Sequence, residues 1–251
     1  MAHPLRWYSW LHAKTGFCPV CGRRTRFRLA GRADLRENAP CLHCDSISRT
    51  RHLAACLVQL FAAHGVRCAR DVADRADLRI YYLGVRGALP SLWGDRPHIT
   101  YSDYFEGCSS GERRDGVLCQ NVERLSFLDG SFDLVVSEDV FEHVADYRQG
   151  FREIARVLAP GGHHVFTLPF EFTAHTISRF EKRGEEYVAV HPLYTHADPG
   201  RGPIPVFTHF GFDLFAFLDE IGMEASLRVA SYEEEVRLGA FNSYTFVTRK
   251  R

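Results

Sequence analysis

The 251-residue sequence has little that would place it in a membrane or on an export route. No stretch approaches eighteen consecutive apolar residues, which excludes an ordinary spanning helix, and the opening MAHPLRWYSWLHAKTG lacks the apolar run of a secretory signal. Net charge is missing too, since 31 Lys and Arg stand against 31 Asp and Glu. Without a basic excess, the chain as a whole exerts no general pull on nucleic acid. No compositional bias points to disorder, because the 45% hydrophobic and 25% charged fractions are those of an ordinary globular protein with a real core. The expected location is cytoplasmic, where cysteines stay reduced and paired cysteines suggest metal before disulfide.

The neutral total hides an asymmetry. Residues 1–70 hold 12 Lys and Arg against 3 Asp and Glu, and residues 71–251 hold 19 against 28. Either the two parts have different partners, or their opposite faces dock on each other within the chain.

Four of the eight cysteines form CPVC and CLHC, namely Cys18, Cys21, Cys41 and Cys44, with 19 residues between the pairs. Two close thiolate pairs brought together by a hairpin have the spacing expected of a four-cysteine zinc site, with chance or a redox dithiol as the competing reading. Four thiolates close the ion off from substrate, so its expected role is structural, and His43 is not needed to complete the shell. Gly22 can supply a positive φ after the first pair. Cys56, Cys68, Cys108 and Cys119 have no ligand spacing and are expected to be small buried hydrophobes. Arg23, Arg24, Arg26, Arg28, Arg32 and Arg36, between the knuckles, form either a phosphate-contacting face or a solvated one. Residues 46–64 have helical apolar spacing and end at Gly65, a C-cap. The expected organisation is a zinc ribbon at 1–45, a linking helix at 46–70 and a main domain at 71–251.

In the main domain, apolar strand-like runs at 80–83, 98–102, 117–119, 132–137 and 163–168 alternate with helical or turn segments. A helix spans 145–158 with Phe151, Ile154, Ala155 and Leu158 on one face, and Pro160, Gly161 and Gly162 are expected to stop it. This alternation implies a parallel sheet with helices on both faces, and ligands outside the carboxyl ends of the strands. SEDVFEHV puts three acids and a histidine at one such exit, where Asp139 is a candidate helix N-cap. Residues 212–221 read as an amphipathic helix, and 224–230 with 241–249 as a terminal strand hairpin.

The stretches SFDLVVSEDVFEHV and EIARVLAPGGHHVFTLP, in that order, resemble the fourth strand, following helix, turn and fifth strand of class I S-adenosylmethionine-dependent methyltransferases of the type 11 group, including members with an N-terminal zinc ribbon. The resemblance implies a Rossmann-like seven-stranded α/β sheet and S-adenosylmethionine as cofactor, beside a structural Zn2+. It assigns Asp103 to the ribose hydroxyls, Asn121 to the adenine amino group, Ser137 and Glu138 to the methionine part, and Gly84 and Gly87 to the first cofactor loop. The first motif departs from the family pattern. Tyr82 stands where the strand acid belongs, and Arg86 lies between the two glycines, where it either pairs with the cofactor carboxylate or obstructs it.

Methyl transfer needs a general base only if the acceptor must lose a proton. The candidates are His143, for which a packing or capping role competes, and His191, His196 and His209 in the segment 170–211. That segment is long and rich in Pro, Gly and His, which suggests a lid or substrate pocket. The spacing of its histidines fits no recognised metal pattern. A small or medium-sized metabolite is the expected substrate. The alternatives are RNA, clamped by the basic N-terminal part, and a non-catalytic binding or scaffold role.

Overall fold

The structure, a computed structural model, describes residues 14–27, 34–184, 186–198 and 202–251. Arg28, Arg32 and the first thirteen residues of the expected ribbon lie outside the described residues. The chain begins with two strands, β1 (Lys14–Cys18) and β2 (Arg23–Phe27), paired antiparallel. Helix α1 (Ser48–Leu60) then passes through a 3-10 turn to Gly65, whose φ of 77° makes it the expected left-handed cap. Short α2 (Ala69–Ala73) follows.

From there, strands and helices alternate as the apolar runs predict: β3 (Ile80–Leu83), α3 (Ala88–Trp93), β4 (Ile99–Ser102), the two-residue strands β5 (Arg113–Arg114) and β6 (Val117–Leu118), β7 (Phe132–Glu138), α4 (Tyr147–Val157) and β8 (Leu158–Thr167). The segment 170–211 contains six short strands: β9 (Ile177–Ser178), β10 (Phe180–Arg183), β11 (Glu186–Ala189), β12 (Thr195–Asp198), β13 (Gly202–Pro205) and β14 (Thr208–His209). They pair antiparallel as β9 with β14, β10 with β11 and β12 with β13. Helix α5 (Asp213–Glu220), β15 (Met223–Val229), α6 (Tyr232–Leu238) and β16 (Tyr244–Lys250) complete the chain.

The central sheet has the order β15-β16-β8-β7-β3-β4, parallel except for β16, which runs antiparallel to both of its neighbours. Two apolar clusters cover its faces. One includes Leu53 and Leu57 of α1 with Leu89 and Trp93 of α3; the other includes Phe151 and Ile154 of α4 with Leu214 and Phe217 of α5. Phe151, Ile154 and Ala155 lie on the buried face of α4 as expected, whereas Leu158, expected on the same face, already begins β8; Asp146 caps the helix, its carboxylate accepting the Gln149 amide at 2.9 Å.

Four details differ from expectation. The sheet has six strands rather than seven, because the run at 117–119 folds back in a tight hairpin with β5 and reaches the sheet only through a parallel bridge between Cys119 and Asp103. Cys119 is disulfide-bonded to Cys108 rather than free, since that hairpin brings the two Cα atoms to 6.3 Å; Cys56 and Cys68 are buried and free. APGG does not end a helix but lies within β8, which starts at Leu158. The terminal strands are joined by α6 instead of a simple turn, through a capping box between Ser231 and Glu234.

The cysteine ribbon packs onto α6 at van der Waals limits. A Cβ at Gly16 would lie 2.2 Å from the Arg237 carbonyl oxygen, so β1 can approach the helix end only as glycine.

Candidate functional site

The four ribbon sulfurs converge. Cys18 and Cys44 Sγ are 3.7 Å apart, Cys21 and Cys41 Sγ 4.0 Å, and all four lie within 4.8 Å of one another. Tetrahedral bonds of about 2.3 Å put sulfurs roughly 3.8 Å apart, so the cluster has the dimensions of a zinc-thiolate site. The His43 and Gly22 backbone amides brace the knuckles, donating to Cys41 Sγ and the Cys18 carbonyl, while the His43 ring is exposed.

A buried cation beside the cluster supports negative charge there. Arg51 is 0% exposed and donates to the carbonyls of Ser46, Leu238 and Gly239, with its guanidinium over the Phe27 ring. Burial pulls its pKa down to about 10, and the charges that oppose this are the four cysteines. Buried charges need a counter-charge, and thiolates on a metal supply one.

At the carboxyl ends of the parallel strands lies a cavity of about 1600 Å³. Gly84 and Gly87 in the loop after β3 line it with φ of +137° and +112°, values that exclude ordinary side chains. Exposed Arg86 stands between them on the same wall. Asp103, directly after β4, lines the cavity and accepts the Tyr104 amide at 2.9 Å. Asn121 is also on the wall, its side-chain oxygen accepting the Glu123 amide at 2.9 Å. Glu138, His143 and His196 complete the sequence-derived residues that share this space.

Ser137, His191 and His209 do not line it. The Ser137 hydroxyl is buried against His164 Nε2 at 2.9 Å, because alternation along β7 turns it into the core. His191 is exposed on the insert. His209 is held by the Glu171 carboxylate at 2.9 Å and by Arg179 at 3.2 Å.

Tyr82, which replaces the expected strand acid, donates its hydroxyl to Glu138 at 2.9 Å. Burial, then the Glu138 charge, raises its pKa well above the usual phenol range. The other Glu138 oxygen accepts from Thr50 at 2.6 Å and Arg49 at 3.0 Å. Arg49 also reaches Glu37 at 2.6 Å and Asp139 at 3.1 Å. Asp139 is not the helix cap expected of it. It sits at φ 50° and receives both ends of the Arg36 guanidinium at 2.7 and 3.1 Å. Burial alone would raise its pKa, but Arg36 and Arg49 outweigh that and hold it below the ordinary carboxylate range. Arginines of the basic N-terminal part thus pair with acids at a strand exit of the acidic part. Charge asymmetry was the only sequence signal for this network.

Sequence reasoning gave no role to Glu142. It follows β7 in a 3-10 turn (Phe141–His143), its side chain is 0% exposed, and neither carboxylate oxygen has a hydrogen-bond partner among the described residues. Burial, then the Asp139 charge, pushes its carboxyl well above the usual carboxylate range. His143 Nε2 and His196 Nδ1 approach the same Glu142 oxygen at 3.7 and 3.8 Å.

Residues 98–166 match the family model described as a methyltransferase domain. No curated protein matches the chain. Among solved structures, an S-adenosylmethionine-dependent methyltransferase from Mesorhizobium loti is 19% identical, with 73% of this chain and 98% of that one covered at a TM-score of 0.43. A putative one from Listeria monocytogenes is 12% identical, with 73% and 98% covered at 0.44. The amino pentose methyltransferase CalS10 from Micromonospora echinaspora is 18% identical, with 77% and 97% covered at 0.45.

Proposed function

We propose that this chain, whose main domain has the class I S-adenosylmethionine-dependent methyltransferase fold, methylates a small or medium-sized metabolite in the cavity at its strand exits. The observation that carries this is that the Gly84–Gly87 loop and Asp103, at the ends of adjacent parallel strands, face one cavity. Asp103, an acceptor-only carboxylate, would take the ribose hydroxyls, and the positive-φ loop would let the backbone approach the aminoacyl end beside Arg86. Asn121 would meet the adenine with the acceptor capacity that Glu123 leaves on its side-chain oxygen. When bound, the cofactor supplies a methyl group on a sulfonium. Glu138 and Asp139, held by arginines, fix the wall between the ribbon and the sheet. His143 and His196 are the candidate imidazoles that line the cavity, and the four-cysteine ribbon would carry a structural zinc ion.

The cavity volume exceeds the roughly 300–1,000 Å³ of a single ligand pocket, which favours cofactor and modest acceptor side by side. A metabolite is favoured over RNA because Arg36, Arg49 and Arg51 are spent on internal partners, which leaves Arg23, Arg24 and Arg26 exposed on the described ribbon. Calorimetry with S-adenosylhomocysteine tests the reading. We expect one-site binding, and Asp103→Ala should weaken it by about 1–3 kcal/mol, the cost of stranding polar partners. No heat at millimolar ligand would refute it. Salt-dependent tRNA binding would move the substrate to RNA, and cofactor binding without transfer to any acceptor would indicate a scaffold.

A further inference from the structure

We propose that Glu142, His143 and His196 form a second metal site, for a divalent first-row transition ion, at the edge of the same cavity, which His143 and His196 line while Glu142 is enclosed behind them. The Glu142 carboxylate is fully enclosed, yet both its oxygens lack a hydrogen-bond partner among the described residues. A group in that state is costly to bury unless something beside it supplies charge or lone-pair acceptance. Two imidazole nitrogens lie 3.7 and 3.8 Å from one of those oxygens, and the three ligand atoms lie within 4.8 Å of one another. Bonds of about 2.1 Å in a tetrahedron set ligand atoms roughly 3.4 Å apart, so the two Glu142–histidine separations need to close by only a few tenths of an ångström and the two histidine nitrogens by up to about 1.4 Å.

The orientation of His143 is what a metal ligand requires. Its Nδ1 lies 2.7 Å from the Pro205 carbonyl oxygen, which must accept, so Nδ1 carries a proton and Nε2 is the nitrogen that faces Glu142. The His196 ring stands nearly perpendicular to that of His143, with centroids 5.1 Å apart. Asp139 is not part of the set, because Arg36 and Arg49 occupy its oxygens. Two imidazoles and one carboxylate suit zinc, iron, cobalt or manganese, and three protein ligands leave at least one position for an outside oxygen.

The placement explains why a metal would sit here. Glu142 and His143 leave the sheet after β7, while His196 comes from β12 in the insert. The same junction is held by the Phe207 amide donating to the Glu142 carbonyl at 2.7 Å. An ion would pin the insert to the strand exits, between the enclosed Glu142 and the two histidines that line the cavity. The existence of the site does not depend on methyl transfer; its use, to hold and acidify an acceptor hydroxyl, rests on that reading.

The test is Co2+ titration of the full chain with its cysteine site already filled by zinc. We expect one further equivalent, with visible d–d absorption of nitrogen and oxygen ligation and no thiolate charge-transfer band. Glu142→Gln and His196→Ala should each weaken it at least tenfold, with unfolding midpoints showing both variants folded. Absence of a second equivalent at millimolar Co2+, or undiminished binding by either variant, would overturn the proposal. Stable Glu142→Gln protein with full Co2+ affinity would mean that Glu142 is simply a buried protonated acid. Co2+ binding without S-adenosylhomocysteine binding would leave the metal site standing and remove the methyltransferase reading.

Discussion

Replacing Arg49 with alanine removes the centre of the network that ties the N-terminal part to the sheet. Its guanidinium meets Glu37, Glu138 and Asp139 at 2.6, 3.0 and 3.1 Å, and their side chains are 30%, 9% and 17% exposed. Stranding a buried ion-pair partner costs about 3–5 kcal/mol, whereas an exposed pair contributes about 0–1. Glu138 would keep Thr50 and Tyr82, and Asp139 would keep Arg36, so the expected loss falls to about 3 kcal/mol. With an m-value of about 3 kcal/mol/M, urea unfolding of the zinc-loaded chain should shift its midpoint down by about 1 M. Glu138→Gln combined with Arg49→Ala should lose less than the sum of the two changes, by at least about 1 kcal/mol. A midpoint shift under about 0.3 M, or strict additivity, would refute the view that this network fastens the ribbon to the sheet.

Acid should destabilise the fold well before carboxylates titrate. Burial lowers the pKa of His164 to about 3 and His52 to about 4, both below 6.5. The unfolded chain therefore binds protons first, and stability present above pH 6.5 is lost as pH falls toward 4, by at most about 1.4 kcal/mol per unit for each histidine. Urea midpoints that stay flat between pH 7 and pH 5 would contradict this. Gly16→Ala should cost about 1–3 kcal/mol by forcing β1 away from the Arg237 carbonyl, and a neutral result would show that the ribbon packs otherwise. Chelation of the cysteine site should expose Cys18 and Cys41 to alkylation before Cys56, since an ion would hold those thiols directly whereas Cys56 is held by packing within the shared apolar cluster; simultaneous labelling would show one cooperative unit instead.

The sheet was legible because its strands are short apolar runs bounded by glycine and polar turns, and Ile80–Leu83 forms where the run predicts. The cysteine pairs were legible because ligand spacing is local. Helix α6 was readable only through its S-x-x-E cap, since Tyr232–Leu238 buries little beyond Leu238. The Cys108–Cys119 bond needed the β5–β6 hairpin, which no apolar pattern marks. Long-range pairing was the least legible: Arg36 meets Asp139 and Arg49 meets Glu138 across about ninety or more residues, and net charge said only that such pairs were available. Glu142 stood in view as one of three acids in SEDVFEHV, but its burial without a hydrogen-bond partner among the described residues arises only in the folded chain, where His196 of the insert lies over it.

The central claim is that the Gly84–Gly87 loop and Asp103 form the cofactor's seat. A crystal structure with S-adenosylhomocysteine bound tests it directly. The account predicts ribose hydroxyls on the Asp103 carboxylate, the homocysteine end over the Gly84–Gly87 backbone, and Arg49 still paired with Glu138. Ligand density elsewhere, or a loop closed over Arg86 with no ligand at saturating concentration, would contradict it.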